Sequence, residues 1–169
     1  MKIDFLKEAG GLYEYSQKIR RDLHMYPELG FKEVRTSEFV AQELRQMGME
    51  VTTGIAETGV VAILESGKQG RVCLLRFDMD ALPIVEETGA EYASVNSGVM
   101  HACGHDAHTA IALGAVVLLN QERFQGTVRF IFQPSEETAD AEGFSGRIKT
   151  HQAVGAEIAQ PDHILFINV

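Results

Sequence analysis

Cysteine is scarce in this chain, and so are basic residues. Only Cys73 and Cys103 are present among 169 residues, too few for a disulfide framework. Cys73 lies inside a hydrophobic run, where a free thiol behaves as a small apolar residue. A reducing, cytoplasmic setting is therefore expected. Lys and Arg number 15 against 24 Asp and Glu, a formal net charge of −9. That balance argues against nucleic acid or an anionic membrane surface as a partner. No apolar run is long enough to span a bilayer. The opening residues Met1, Lys2, Ile3, Asp4 and Phe5 lack the apolar core of a signal peptide. Internal repeats and low-complexity tracts are also missing. What remains is an ordinary globular composition, 45% apolar and 23% charged, long enough for one domain with a core.

Against that background, residues 100–109 stand out. They hold Cys103, three histidines (His101, His105 and His108) and Asp106, and they run straight into an apolar segment. Thiolate and neutral imidazole are preferred donors for a borderline-soft ion such as zinc. Gly104 separates Cys103 from His105, so the two side chains could bend toward one point. Packing alone gives no reason for one thiol and three imidazoles to gather. A helix starting near Asp106 would add a positive dipole end that favours a thiolate.

Periodicity supplies the frame. Leu12, Tyr15, Ile19, Leu23 and Tyr26 recur at helical spacing, predicting a helix stopped near Pro27 with His24 in its last turn. A second helix is predicted over 36–47, with Gly48 as its stop. Strands are predicted over 59–64, 71–77, 126–132 and 164–169, and a strongly apolar helix over 110–119. Residues 86–99 read as an irregular excursion, and 138–160 are indecisive. The order fits an α/β domain, with a mixed, largely parallel sheet flanked by helices.

In such sheets sites gather at loops leaving the carboxyl ends of strands. Asp78 and Asp80 follow one predicted strand, and Glu136 and Glu137 follow another. Alternate residues on an extended backbone share a face, so both aspartates could point inward. One could ligate metal while the other orients an imidazole; the bland reading is a pair of solvated aspartates capping a strand. Adjacent glutamates on a loop are commonly solvated charge as well. Here they emerge directly from a core strand, where one could hold an ion and the other move a proton.

The sequence resembles the M20 metallopeptidase/amidohydrolase family, in particular its N-acyl-amino-acid, hippurate and indoleacetyl-amino-acid amidohydrolases. The resemblance is carried by residues 20–30, 78–83, 100–109 and 132–137, in the family's order. It implies a zinc-peptidase-like catalytic domain with two divalent ions (Zn, Mn, Co or Ni). Cys103, His105 and Glu137 would be ligands, Glu136 the general base and acid, and Asp80 the supporting aspartate. It implies a small N-acyl amino acid substrate, and a homo-oligomer in the full-length form. Residues 1–169 would be the N-terminal part of the catalytic domain, without the lid/dimerisation domain and the returning C-terminal part. Asn168 falls where the family has a further histidine ligand; His163, five residues upstream, is the remaining candidate. His151 reads as a surface residue.

Two other functions compete. One is a catalytically silent fragment, serving as a metal-binding or interaction module. The other is thiol catalysis by Cys103, which would leave both acidic pairs without a task. Zinc nucleobase deaminases use similar donors, but their Pro-Cys-x-x-Cys element is absent.

Overall fold

The computed structural model describes residues 4–121, 124–158 and 163–166, the last stretches beyond Ala153 by backbone alone. In chain order the elements are α1 (Phe5–Gly11), α2 (Tyr13–Met25), α3 (Val34–Gln46), β1 (Glu50–Ile55), β2 (Gly59–Glu65) and β3 (Arg71–Asp78). They continue with α4 (His105–Gln121), β4 (Gly126–Gln133), α5 (Gly146–Ile158) and β5 (His163–Phe166). No helix among the described residues is long and apolar enough to cross a membrane.

Local chemistry sets the boundaries. Tyr26 precedes Pro27, whose ring disfavours helical backbone before it, and α2 ends there with Tyr26 at φ −123°. At the start of α3 the Glu28 carboxylate accepts from the amides of Arg35 (3.0 Å) and Thr36 (2.8 Å). A helix leaves its first amides without internal partners, and an acidic side chain there also suits the dipole. Two elements depart from the expectation. α1 buries no residue, so it left no apolar stripe to read. α5 occupies part of the indecisive stretch.

The five strands form one mixed sheet in the order β1-β2-β4-β3-β5. β1 with β2 and β2 with β4 are antiparallel, while β3 pairs in parallel with β4 and β5. Parallel and antiparallel pairings are thus equal in number among the described strands. Side chains alternate across the sheet with period two. Val60, Ala62, Leu75, Phe77, Phe130 and Phe132 join Leu23, Val40, Leu44, Leu113 and Val116 of the helices in the main core. Val61, Leu74 and Ile131 form a smaller cluster with Ile55.

One register matters most for function. β3 and β4 run parallel with Asp78 opposite Gln133, so both end at the same level. The Met79 amide then donates to the Gln133 carbonyl at 3.1 Å, carrying the pairing one residue past the strands. The two acidic loops leave the sheet side by side.

α4 holds this arrangement down. Leu113 lies on it with no solvent exposure, within the main core. Leu113→Ala is expected to lose about 2–5 kcal/mol in urea unfolding, whereas Ile111→Ala, on the exposed side, should stay within about 0.5 kcal/mol.

Candidate metal centre

Backbone bonds place the donors before any side chain acts. Past β3, Ala81 donates to the Glu28 carbonyl (2.8 Å), and Leu82 and Met100 exchange amide bonds at 3.0 Å each. The Leu82–Met100 bridge brings the Cys/His loop beside the aspartates. Gly104 then turns the chain into α4 at φ 88°, a conformation that costs other residues free energy. Cys103 and His105 end on either side of this turn.

Asp80 joins the loops. His105 donates through Nδ1 to the Asp80 carbonyl (2.9 Å) and lies 3.2 Å from its Oδ1. The other carboxylate oxygen accepts from the Glu137 amide at 3.0 Å. As a result one ligand atom each from Cys103, His105 and Glu137 lies within 4.8 Å of the other two. With Nδ1 occupied by Asp80, the lone pair of His105 is left on Nε2, the tautomer that metal-bound histidines use when a carboxylate orients them.

The electrostatics fit a cation. Burial opposes ionisation of Asp80, but bonds from His105 and from the Glu137 and Glu136 amides outweigh it and hold its pKa below the ordinary range. Burial likewise works against a charged His105, and Asp80 overcomes it, raising the imidazole. The Cys103 thiol is pushed up to about 11, first by its hydrogen bond with Glu137, then by burial and the negative charges around it. Cys103 and Glu137 are exposed while His105 is buried. A half-exposed set of sulfur, nitrogen and oxygen donors in excess negative field is one that a divalent ion would satisfy, lowering the thiol in the process.

The other candidates separate. Asp78 turns its carboxylate to Arg76 (3.3 Å) and His108 (3.6 Å), so the two aspartates do not share one task. Burial lifts the Asp78 pKa to about 6. His108 packs edge-on against Phe77 and accepts the Asp78 amide at 3.2 Å. His101 is buried, with neither ring nitrogen partnered among the described residues, and burial lowers its pKa to about 4. Neither imidazole enters the donor group. Glu136 is exposed beside Glu137, close enough for its charge to act on Cys103 and Asp78. His163 opens β5 with its backbone opposite Cys73, five residues before Asp78. That offset is about 16 Å along a strand, so the register sets its backbone at the other end of the sheet. Asn168 lies outside the described residues. His151 is exposed on α5.

Sequence reading missed a second cluster behind the first. Asp106 is fully buried between Arg20 Nε (2.8 Å) and His24 Nδ1 (2.7 Å), and His24 Nε2 faces Glu86 at 3.1 Å. Tyr92 lies under the guanidinium groups of Arg20 and Arg21. These contacts bolt the first turn of α4 to α2 and to the 86–99 excursion. The legible signal was Asp106 itself, a carboxylate entering an apolar helix that must find a buried partner.

Donors gathered at the strand ends of a mixed sheet define a candidate metal-binding α/β domain. Comparison with known proteins narrows it: residues 74–167 match Peptidase family M20/M25/M40, and the chain belongs to that family. It is 44% identical over 150 residues to thermostable carboxypeptidase 1 of Saccharolobus solfataricus, covering 87% of this chain and 38% of the relative. Hippurate hydrolase of Campylobacter jejuni is 47% identical over 121 residues, 72% of this chain and 32% of its own. The crystal structure of the Bacillus subtilis YXEP protein, described as a dinuclear metal binding peptidase from the M20 family, superposes with a TM-score of 0.84 at 40% identity. That match covers 94% of this chain and 44% of the other. The chain thus spans less than half the length of these relatives.

The buried carboxyl of Asp78 gives a pH test. Its folded pKa of about 6 lies above the ordinary 3.8, so the folded state holds the proton more tightly. Its contribution to stability is full below the lower value and lost as pH rises through the window. Asp78→Asn should therefore gain on wild type between about pH 4 and pH 6, by at most about 1.4 kcal/mol per pH unit, in urea unfolding with chelator present. A difference that stays flat across the window would show that Asp78 is not buried as an acid.

Proposed function

We propose that this chain forms part of the catalytic domain of a metal-dependent amidohydrolase that cleaves the amide bond of N-acyl amino acids or small peptide-like substrates. The observation that carries the reading is the meeting of Cys103, His105 and Glu137 around Asp80. These three residues would hold divalent metal, two ions in the full-length protein, of the Zn, Mn, Co or Ni class. His163 is left out of the proposed set because of its strand register. When bound, such ions polarise a scissile carbonyl and acidify water.

The remaining work falls to the chain. Glu136, exposed next to the donors, takes a proton from water and returns it to the leaving amine. Asp80 holds His105 by its ring and Glu137 by its backbone, keeping both donors aimed. Asp78, whose carboxylate faces Arg76 and His108, has no direct part. An exposed thiol in the donor set suits a reducing cytoplasm. Two relatives are named for small N-acyl substrates, hippurate hydrolase and the N-acetyl-L-cysteine deacetylase of Bacillus subtilis, the latter 48% identical over 121 residues.

A second reading rests on the limited coverage of those relatives. The chain could bind metal without completing a substrate pocket, acting as a metal-binding or interaction module. Elemental analysis and hydrolysis of N-acetylcysteine and hippurate, with and without Mn²⁺, Co²⁺ or Zn²⁺, separate the two. In the enzyme reading Glu136→Gln keeps its metal and loses turnover by about a hundredfold or more, while Cys103→Ser loses metal. Bound metal without turnover in wild type supports the module. Wild type that takes up no metal overturns both. Turnover that survives chelator but not thiol alkylation points to Cys103 as a nucleophile instead.

A further inference from the structure

The stretch between α2 and α3 does more than turn the chain. Glu28 gives its carbonyl to the Ala81 amide, and Leu29 bridges Ala81, fixing the loop that carries Asp80. Five residues on, Glu33 reaches the other acidic loop. Its Oε1 accepts from the Ser135 amide at 2.8 Å, and its Oε2 from Thr58 Oγ1 at 2.5 Å. Glu33 and Ser135 are both wholly buried.

Ser135 needs such a partner. It is a non-glycine residue at φ 46°, in the left-handed region that costs roughly 1–2 kcal/mol. It stays there because each of its polar groups is held. The amide is held by Glu33, the carbonyl accepts from Gly146 (2.9 Å), and Oγ donates to the Thr138 carbonyl (2.8 Å). Gly30 lies against the same turn; a Cβ there would stand 2.4 Å from Ser135 Oγ and 2.6 Å from Thr138 Oγ1. The backbone then delivers Glu136 and Glu137 directly after this constrained residue. The Glu137 amide is caught by Asp80 on the far side.

We propose that Glu33 is a positioning residue for the Glu136–Glu137 pair: its carboxylate locks Ser135 in the turn that sets the Glu137 carboxylate opposite Cys103 and His105. Glu33 touches none of the donors and acts through Ser135. The assignment rests on the metal-centre reading above, and its test is built so that the two can fail separately.

The first measurement needs no metal. Amide hydrogen exchange in the metal-free full chain should show Ser135 protected in wild type and exposed in Glu33→Ala, with α4 unchanged. Glu33→Gln, whose side-chain oxygen can still accept the Ser135 amide, should restore protection. Glu33→Asp is the milder truncation, too short to reach both Ser135 and Thr58, and should lose protection at Ser135 first. The second measurement is a Co²⁺ titration followed by thiolate-to-cobalt absorption. Glu33→Ala and Glu33→Asp should bind about tenfold or more weakly, and Glu33→Gln near wild type. Val61→Ala, in the smaller core cluster apart from α4, should lose stability and leave cobalt affinity unchanged. The proposal is overturned if Ser135 stays protected in Glu33→Ala. It is equally overturned if Glu33→Asp loosens α4 along with Ser135, since Glu33 is then a general element of the core. Wild type that binds no cobalt refutes the metal centre, and exchange still decides on Glu33.

Discussion

A single buried carboxylate holds the candidate site together. Asp80 uses one oxygen for the His105 ring and the other for the Glu137 amide, so an imidazole from the start of α4 and a glutamate from the loop after β4 are fixed to one side chain. A buried charge is costly unless its lone pairs are met, and Asp80 is placed where they are. The same bonds fix the His105 ring and would leave its Nε2 lone pair for a ligand. Loss of this junction would free two of the three donors at once.

The junction depends on strand register. β3 and β4 are parallel and end level with each other, which is why acids from sequence positions more than fifty residues apart emerge next to one another. Antiparallel pairing at that point would have sent the two loops to opposite ends of the sheet. The hydrophobic core beneath, with Phe77, Phe130 and Phe132 fully buried, makes the register expensive to shift, because a slip by one residue turns every side chain to the other face. Two polar supports then act from outside the sheet. Asp106 ties α4 to α2 through Arg20 and His24, and the 28–33 stretch touches both acidic loops.

The dense Cys/His loop is therefore a composite. Of its side chains only Cys103 and His105 join the candidate donor group, with Glu137 as the third member. His108 serves the end of β3, and His101 lies buried behind. Spacing could not separate these tasks. Four potential donors in eight residues look equivalent in sequence, and they diverge because Gly104 reverses the chain between Cys103 and His105 and the helix then rotates His108 by three residues, onto the side of Phe77.

By itself the sequence determined the elements with strong periodicity, their α/β order, and the position of two acidic pairs and one Cys/His loop beside strand or helix ends. These follow from local rules: side-chain period, proline and glycine placement, and the rarity of so many donors in one short stretch. It did not determine which aspartate faces His105, that His163 starts β5 at the other end of the sheet, or that Glu33 and Asp106 are buried carboxylates with distant partners. It also left α1 and α5 unread, since neither carries a clear apolar stripe. Those outcomes were decided by tertiary structure, because a side chain's partner is chosen by the register and packing of strands and helices far away in the chain, and no local pattern encodes that choice.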